Sequence, residues 1–247
     1  MEKHELTRRL EDLAARCERG GTVTGSHFLT PAEQVQAEKT FKNSGTKLLL
    51  HGGHPDCERK AAFFLPDWLE PEDFDPAEVL CAIRLTAHFG TPGHRDYLGS
   101  LLGMGIGREW LGDIWVVENQ ALVFCLPSVE KHLLGIERAG RVSLTAERAA
   151  LEDIPAPQRQ VRELSFTVAS PRLDAVAAGL FRISRSEAAR QIELGALSLN
   201  YEICDKTDRS VAEGDILSLR GAGKGKITGF GGNSRKGRLY IYAEIYQ

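Results

Sequence analysis

Histidine and cysteine side chains are the first candidates for chemistry in this 247-residue chain. His51, His54 and Cys57 follow a His-x2-His-x2-Cys spacing, and these side chains are ordinary zinc ligands. The run lacks a fourth ligand, and it falls between two short apolar runs, where a turn is expected. The spacing therefore favours a solvated hairpin tip over a metal site, and we predict that the protein binds no metal and no other cofactor.

Two further motifs have the residue types of nucleotide-handling sites but not their spacing. His94-Arg95-Asp96 matches part of the catalytic loop of protein kinases, yet the Asn expected five residues later and the Asp-Phe-Gly motif are missing. Gly103, Gly105 and Gly107 follow a predicted helix and lack the dinucleotide-binding spacing. We predict no catalytic residues, so that the protein is not an enzyme and has no small-molecule substrate.

The charge of the chain is divided unevenly. The whole sequence has a formal net charge of −3, which by itself gives no indication of a nucleic-acid partner. Residues 170–247, however, contain 12 Lys and Arg against 9 Asp and Glu, whereas residues 1–169 contain 19 against 25. This asymmetry suggests a basic module joined to a more acidic body.

Composition also excludes several classes of protein. With 42% hydrophobic residues the chain can bury real cores, so wholesale disorder is not expected. No stretch approaches the roughly 20 apolar residues of a membrane span, and the polar N-terminus is not typical of a signal peptide. The five cysteines form no Cys-x-x-Cys pair, which argues against a disulfide scaffold and is typical of the reducing cytoplasm.

Basic residues of the C-terminal part occupy positions that suit phosphate groups. Arg172 begins one predicted helix, and Ser184-Arg185-Ser186 begins the next, where free backbone N–H groups and the helix dipole favour an anion. Arg190 lies four residues after Ser186, on the same face. Five more cations are predicted on glycine-rich turns: Lys224, Lys226, Arg235, Lys236 and Arg238. The pattern fits shape-based recognition of structured RNA, and an ordinary solvated surface is the alternative.

Hydrophobic spacing predicts the elements of the first two thirds of the chain. In the N-terminal part we expect a helix near residues 3–19, a helix capped by Thr30, and a hairpin of Lys47–His51 with Ala61–Leu65. The next elements follow the order strand, helix, strand, strand, helix, strand, which is the plan of ferredoxin-like and RNA-recognition folds. Their predicted bounds are Val79–Leu85, His94–Leu102, Ile114–Val117, Ala121–Leu126, Ser128 to about Glu137, and Val142–Leu144.

The C-terminal part is predicted to follow a linker at Glu152–Gln158. Its elements are a strand at Val161–Val168, a helix capped by Ser170, a helix opened by a capping box of Ser184 and Glu187, and strands at Ala196–Leu199, Ile216–Leu219 and Leu239–Tyr246. In the last strand the tyrosines 240, 242 and 246 alternate with aliphatic residues. Packing of these rings on the sheet is favoured over the stacking of bases on them.

The C-terminal part resembles the alpha-L RNA-binding motif, which occurs in a primary-binding small-subunit ribosomal protein, in pseudouridine synthases and in tyrosyl-tRNA synthetases. The matching positions are Arg172-Leu173-Asp174, Ser184-Arg185, Ala188, Gly195, Asn200 and Gly214-Asp215. The resemblance implies that Asp174, Ser184, Ser186, Asn200 and Tyr201 belong with the cations to an RNA-binding site. Tyr201 departs from the pattern, because many members have Gly there.

Longer segments resemble the YlmH family and extend the likeness over nearly the whole chain. They are His27–Gln34, Gly52-Gly53 with Glu58-Arg59-Lys60, His94–Gly103, Arg108-Glu109 with Gly112-Asp113-Ile114, and Gly214–Gly221. The resemblance implies a cytoplasmic, non-enzymatic RNA-binding protein of bacteria and plastids. It further implies association with the large ribosomal subunit, with tRNA and the rescue of stalled translation, and with cell division. Secondary RNA contacts are then expected at His94, Arg95, Arg59 and Lys60.

The predicted fold class is α+β, in three parts. Residues 1–75 form an N-terminal subdomain of helices and a hairpin, residues 76–158 an RRM-like βαββαβ domain, and residues 159–247 a linker strand with the alpha-L RNA-binding domain. The third strand of the central part, Ala121–Leu126, lacks the basic-Gly-aromatic signature of RNA-recognition sheets. We therefore expect this part to position the basic module or to contact protein or RNA by its edges.

Three functions are compatible with these patterns. The leading one is recognition of structured rRNA or tRNA on the large ribosomal subunit. In this function the protein catalyses no reaction and has no membrane partner. The second is an RNA-modifying enzyme similar to pseudouridine synthases, with a catalytic domain in residues 1–150 and the C-terminal module used for targeting. The third is a protein-interaction adaptor in cell division.

Overall fold

The computed structural model describes residues 3–157 and 161–246. It divides into two compact units, Met1–Pro157 and Gln158–Gln247. The predicted α+β class is confirmed, since the described residues form six α-helices and three antiparallel sheets. The finer division into three domains stays a prediction, and Gln158, where the predicted linker ends, lies outside the described residues. Within the described ranges no helix is long and apolar enough to cross a membrane.

A three-stranded sheet with two helices opens the first unit. Its elements are α1 (Lys3–Gly20), β1 (Thr24–Leu29), α2 (Pro31–Phe41), β2 (Lys47–His51) and β3 (Lys60–Leu65), with strand order β1-β3-β2. The predicted helices and the pairing of β2 with β3 are confirmed. Sequence reasoning missed β1, which ends in apolar residues but begins with Thr-Gly-Ser-His. It becomes a strand because β3, buried along most of its length, offers β1 a second edge for pairing.

Thr30 caps α2 as predicted. Its hydroxyl accepts a hydrogen bond from the Glu33 amide at 3.4 Å, and the Glu33 carboxylate accepts one from the Thr30 amide at 2.7 Å. This reciprocal capping box, followed by Pro31 at the first helical position, satisfies amides that the helix cannot pair.

The predicted hairpin tip between β2 and β3 is solvated at Pro55 and Asp56, but the residues that flank these two are not. Gly52 and Cys57 are buried, and a side chain at Gly52 would overlap Cys57 and the Arg59 carbonyl. The Nδ1 atoms of His51 and His54 accept hydrogen bonds from the amides of Gly53 and Asp56, at 3.0 and 3.2 Å. The histidines thus hold the loop in place, and no group of three metal-ligating side chains occurs among the described residues.

A five-stranded antiparallel sheet completes the first unit. Its elements are β4 (Cys81–Ala87), α3 (His94–Gly103), β5 (Leu111–Val117), β6 (Gln120–Cys125), α4 (Pro127–Leu133), β7 (Arg138–Ala139) and β8 (Val142–Ala149), with strand order β5-β6-β4-β8-β7. Tyr97 and Leu101 of α3 and Leu133 of α4 are buried on one face. On the other face Phe124 packs with Phe28 and Phe63 of the N-terminal sheet. Nucleic-acid bases therefore cannot stack on this face of the sheet at Phe124.

Helix α4 differs from its predicted bounds. Leu126 rather than Ser128 precedes the first helical residue, because Pro127 already has the backbone conformation of a helix start. The helix ends at Leu133 rather than near Glu137, and the Gly135 amide bonds to the His132 carbonyl in a closing turn.

The second unit consists of a six-stranded antiparallel sheet with two helices. Its elements are β9 (Val161–Val168), α5 (Leu173–Phe181), α6 (Arg185–Glu193), β10 (Leu197–Leu199), β11 (Glu202–Ile203), β12 (Ile216–Leu219), β13 (Gly223–Asn233) and β14 (Leu239–Tyr246). The strand order is β11-β10-β12-β13-β14-β9. The predicted core positions of α5 and α6 are all buried: Leu173, Val176, Ala177, Leu180, Ala188 and Ile192.

The predicted Ser170 cap of α5 is wrong, and Arg172 occupies the cap position. Arg172 forms a β-bridge with Ser210, and the Val211 amide bonds to the Pro171 carbonyl at 2.8 Å. This pairing keeps residues 171 and 172 extended, so the helix begins only at Leu173.

Strand β13 was predicted as glycine-rich turns. It pairs with β14 over most of its length and with β12 over Gly223–Lys226, and Lys224 and Lys226 lie within it. Its glycines lower the intrinsic preference for a strand, and the pairing on both edges overrides that preference.

Helix α5 lies unusually close to β9 at Gly179, where a methyl group would overlap the ring of Phe166. We expect Gly179→Ala to destabilise the second unit by about 1–3 kcal/mol through overpacking, although Ala is the better helix former. Gly99→Ala in α3 is the control, because its methyl group would meet no atom. There we expect a gain of about 0.5–1 kcal/mol. Hydrogen exchange of α5 and α3 peptides measures both, and slower exchange in α5 of Gly179→Ala would contradict the close packing.

Candidate nucleic-acid interface

Two arginines converge on one buried carboxylate where α5 and α6 begin. Asp174 is 5% exposed, and its Oδ2 accepts hydrogen bonds from Nε and Nη2 of Arg185 at 3.1 and 3.0 Å. Arg172 donates to the same carboxylate at 3.4 and 3.5 Å. The side chains of Arg172 and Arg185 are 40% and 57% exposed. The structure thus brings two predicted contacts together with their outer edges in solvent.

Asp174 itself is too buried to be a direct surface contact, and its position makes it the anchor of the two arginines. Burial by itself raises the pKa of the Asp174 carboxyl, but hydrogen bonds and charge from Arg185 and Arg172 outweigh burial and hold the pKa below its usual value. The carboxylate therefore stays ionised at neutral pH. The amides of Leu173 and Asp174 donate to the carbonyls of Arg209 and Thr207, which fixes the start of α5.

The start of α6 is capped as predicted by Ser184. Its hydroxyl accepts from the Glu187 amide at 3.1 Å and lies 3.0 Å from the Ser186 hydroxyl. The first amides of a helix have no partner within it, and with the helix dipole they favour an anion. Ser184, Arg185 and Ser186 are exposed, so this helix start is open to solvent.

Arg190 lies one turn along the same helix, but it is paired. Its Nε and Nη2 donate to the Glu187 carboxylate at 2.9 and 2.7 Å, so the predicted capping box is only half formed. Hydrogen bonds from Arg190 and Gln191 lower the pKa of Glu187 to about 2. Sequence reasoning missed this partner, although the spacing of three residues between Glu187 and Arg190 is the signal for such a pair.

Asn200 and Tyr201 form the two-residue turn between β10 and β11. Both have positive φ angles, 50° and 65°, which is the left-handed region that favours glycine. Both ends of the Asn200 side-chain amide are engaged: it donates to Asp215 at 2.8 Å and accepts from the Ile216 amide at 2.9 Å. Asn200 therefore joins two loops of the unit. Tyr201 stands where the alpha-L pattern often has Gly, and its conformation explains that preference.

Lys224 and Lys226 do not lie on the side of α5 and α6. Gly225 between them faces Leu180 of α5, so the two lysines project from the other side of the sheet. We call this side the open face; it also carries Tyr240, Tyr242 and Tyr246. The Lys224 Nζ lies 5.0 Å from the ring centre of Tyr246 and 5.8 Å from that of Tyr201. The arginines at the helix starts and these two lysines therefore lie on different sides of the sheet.

Arg235, Lys236 and Arg238 are exposed at the turn between β13 and β14. The Arg238 guanidinium donates to the carbonyl and hydroxyl oxygens of Thr167 at 2.7 and 3.2 Å, which holds it across the edge strand β9.

The secondary contacts expected in the first unit are dispersed. Arg59 is half-buried, and its guanidinium donates to the carbonyls of Leu111 and Phe28, each at 3.1 Å, so it joins three segments of the unit. Lys60 is half-buried where β3 begins, and His94 and Arg95 are exposed where α3 begins. Partial burial and the nearby Arg108 lower the pKa of His94. Arg59 serves the fold, whereas His94 and Arg95 are accessible.

Three known proteins or families share similarity with the chain. A family model described as "Putative RNA-binding domain in YlmH" matches residues 70–153. The ribosome-associated protein quality control protein P2 of Bacillus subtilis is 31% identical over 218 residues, which cover 88% of this chain and 85% of that protein. A solved structure, cell division protein ylmH from Streptococcus pneumoniae, aligns with a TM-score of 0.48 and 19% identity over 62% of this chain and 90% of that chain.

Asp174→Asn tests the anchoring role of the carboxylate. The amide cannot accept two charge-assisted pairs of hydrogen bonds, so we expect a loss of about 2 kcal/mol at neutral pH and roughly 30-fold faster hydrogen exchange in α5. Because the folded pKa of Asp174 is lowered, the wild-type advantage is complete above about pH 4 and disappears as the pH falls through that lowered pKa. Asp205→Asn, at an exposed aspartate of the same unit, is the matched control. Equal exchange in both variants at pH 7 would refute the anchor.

Proposed function

The chain belongs to the YlmH family, and on that premise we propose that it binds structured ribosomal RNA or tRNA through the side of its second unit where α5 and α6 begin. The observation that carries the proposal is the convergence of Arg172 and Arg185 on the buried Asp174, beside the open start of α6. A fixed pair of partly exposed guanidinium groups next to free helix amides suits the phosphates of a folded RNA backbone.

The comparisons support an RNA and ribosome partner. The family model is described as an RNA-binding domain, and the Bacillus subtilis relative is named as a ribosome-associated quality control protein. We extend the proposal to the same setting: a cytoplasmic protein that acts on the large ribosomal subunit during the rescue of stalled translation. The matched segment at residues 70–153 contains the five-stranded sheet, whose face is closed at Phe124. That unit is therefore proposed to contact RNA or protein through its edges and exposed helix starts.

We propose that the protein acts without chemistry. Burial raises the pKa of the Cys57 thiol to about 12 and that of Cys81 to about 11, so neither is an activated thiolate at neutral pH. An RNA-modifying enzyme would need an accessible nucleophile or a tuned acid or base in the first unit. Release of modified nucleosides from RNA incubated with the full chain would contradict the proposal.

Arg185→Ala combined with Arg190→Ala tests the RNA-binding side. We expect at least a 10-fold loss of affinity for ribosomes and for a structured rRNA fragment, and a salt dependence shallower by one to two counterions, because each lost phosphate contact removes about one. Arg8→Ala with Arg19→Ala, two exposed arginines of α1, is the charge-matched control and should bind like wild type. If the two double variants bind equally, the assignment of this side is wrong.

Glu187→Gln tests the same side with the opposite sign. The change removes one negative charge and releases Arg190 from its bidentate pair, while the backbone amide that Ser184 caps is retained. We expect RNA affinity to rise by about 2- to 5-fold at low salt and the gain to shrink at high salt. Glu193→Gln, an exposed acid at the end of α6, is the control. Weaker binding by Glu187→Gln would show that RNA contacts the Glu187–Arg190 ion pair rather than the free guanidinium of Arg190.

A further inference from the structure

The open face carries two exposed aromatic rings that the proposed function does not use. Tyr240 and Tyr242 are 39% and 47% exposed, and they lie two residues apart on β14, on the side of the sheet away from α5 and α6. The sequence favoured packing of these rings. We propose that they form a stacking platform for a single-stranded stretch of RNA, distinct from the side that meets structured RNA. The proposal rests on the proposed function only in taking RNA as the partner.

Glycines of β13 make the platform flat. The Tyr242 ring runs beside Gly229 and across Gly231, where an added methyl group would lie 3.9 and 3.0 Å from ring atoms. The same methyl at Gly231 would lie 3.0 Å from Cβ of Tyr240. The glycines let one side of the Tyr242 ring lie against the sheet, while the other side faces solvent. A ring held in this way loses little freedom when a base stacks on it.

The spacing of the rings suits consecutive bases. Alternate residues of a strand lie on the same side about 7 Å apart. The residues that line a cavity of about 390 Å³ beside Tyr242 include Ser165, Thr228, Glu163 and Glu244. Hydroxyl and carboxylate groups are hydrogen-bond partners for the edge of a base, and a carboxylate accepts from the amino group of cytosine.

The charged residues around the two tyrosines favour RNA, rather than an apolar protein surface, as the binding partner. Arg235, Lys236 and Arg238 lie at one end of the tyrosine pair, and Lys226 lies across from Glu244 at the other. These four cations exceed the two carboxylates of Glu163 and Glu244. A strand of RNA laid along β14 therefore meets cations at both ends and aromatic rings between them. Basic residues that flank exposed aromatics are the usual composition of a single-strand site.

The test uses the full chain and a 10-nucleotide oligocytidylate at pH 7.5, with binding followed by fluorescence anisotropy of a labelled 5′ end. We expect Tyr240→Ala with Tyr242→Ala to weaken binding by about 10- to 100-fold, because each stacked base contributes on the order of 1–3 kcal/mol. Tyr240→Phe with Tyr242→Phe should keep binding within about 3-fold of wild type, since a phenyl ring stacks as well. Ile203→Ala, at an exposed apolar residue of the edge strand β11, is the control and should have no effect.

Two further measurements separate this proposal from the proposed function. A 4-thiouridine placed in the oligonucleotide should crosslink to peptides of β14 in wild type. Arg185→Ala with Arg190→Ala should retain oligocytidylate binding while losing the structured rRNA fragment, and the tyrosine-to-alanine variant should show the reverse. The platform is refuted if the alanine variant binds oligocytidylate like wild type, or if the crosslink falls outside β9, β13 and β14. Equal exchange of β13 and β14 amides in the alanine and phenylalanine variants shows that the loss is not unfolding.

Discussion

The second unit depends on a carboxylate that is buried where a charged group is costly. Asp174 is tolerated there because Arg172 and Arg185 both donate to it, and their hydrogen bonds outweigh the effect of burial on its pKa. The same bonds set the directions of both arginines before any ligand arrives. The β-bridge of Arg172 to Ser210 holds the chain that precedes the helix. The two arginines are thus ordered by folding, so a ligand that binds them would not have to order them.

The sheet of the second unit separates the basic residues of that unit onto two surfaces. Close packing at Gly179 against Phe166 and at Gly225 against Leu180 places α5 on one side of the sheet, and Ala188 and Ile192 of α6 share its core. Lys224 and Lys226, on either side of Gly225, must then project from the opposite side. One side presents guanidinium groups and a helix start, and the other presents tyrosine rings on glycines. A modest positive charge is thereby placed at specific positions instead of being spread evenly.

The five-stranded sheet of the first unit is covered on both of its faces. Helices α3 and α4 cover one face, and the N-terminal sheet covers the other at Phe124. Arg59, a candidate contact from the sequence, is bound to backbone carbonyls of Leu111 and Phe28 and so helps to join the two sheets. The parts of the first unit that remain accessible to a partner are the edges of its sheets and its helix starts, such as the start of α3 at His94.

The sequence by itself determined the α+β class, most helices and strands, and the apolar stripes of α5 and α6, because these depend on local periodicity. It also determined the Thr30 and Ser184 caps, which depend on residue types at helix starts, and the family, which depends on motif spacing. It could not determine β1 and β13, whose polar or glycine-rich sequences become strands only through pairing on neighbouring edges. The prediction that Ser170 caps α5 was wrong because Arg172 pairs with Ser210, which is distant in sequence. Only the tertiary structure decided that Asp174 is an anchor, that Asn200 joins two loops, and that the cations divide between two sides, since each of these is a contact between residues far apart in the chain.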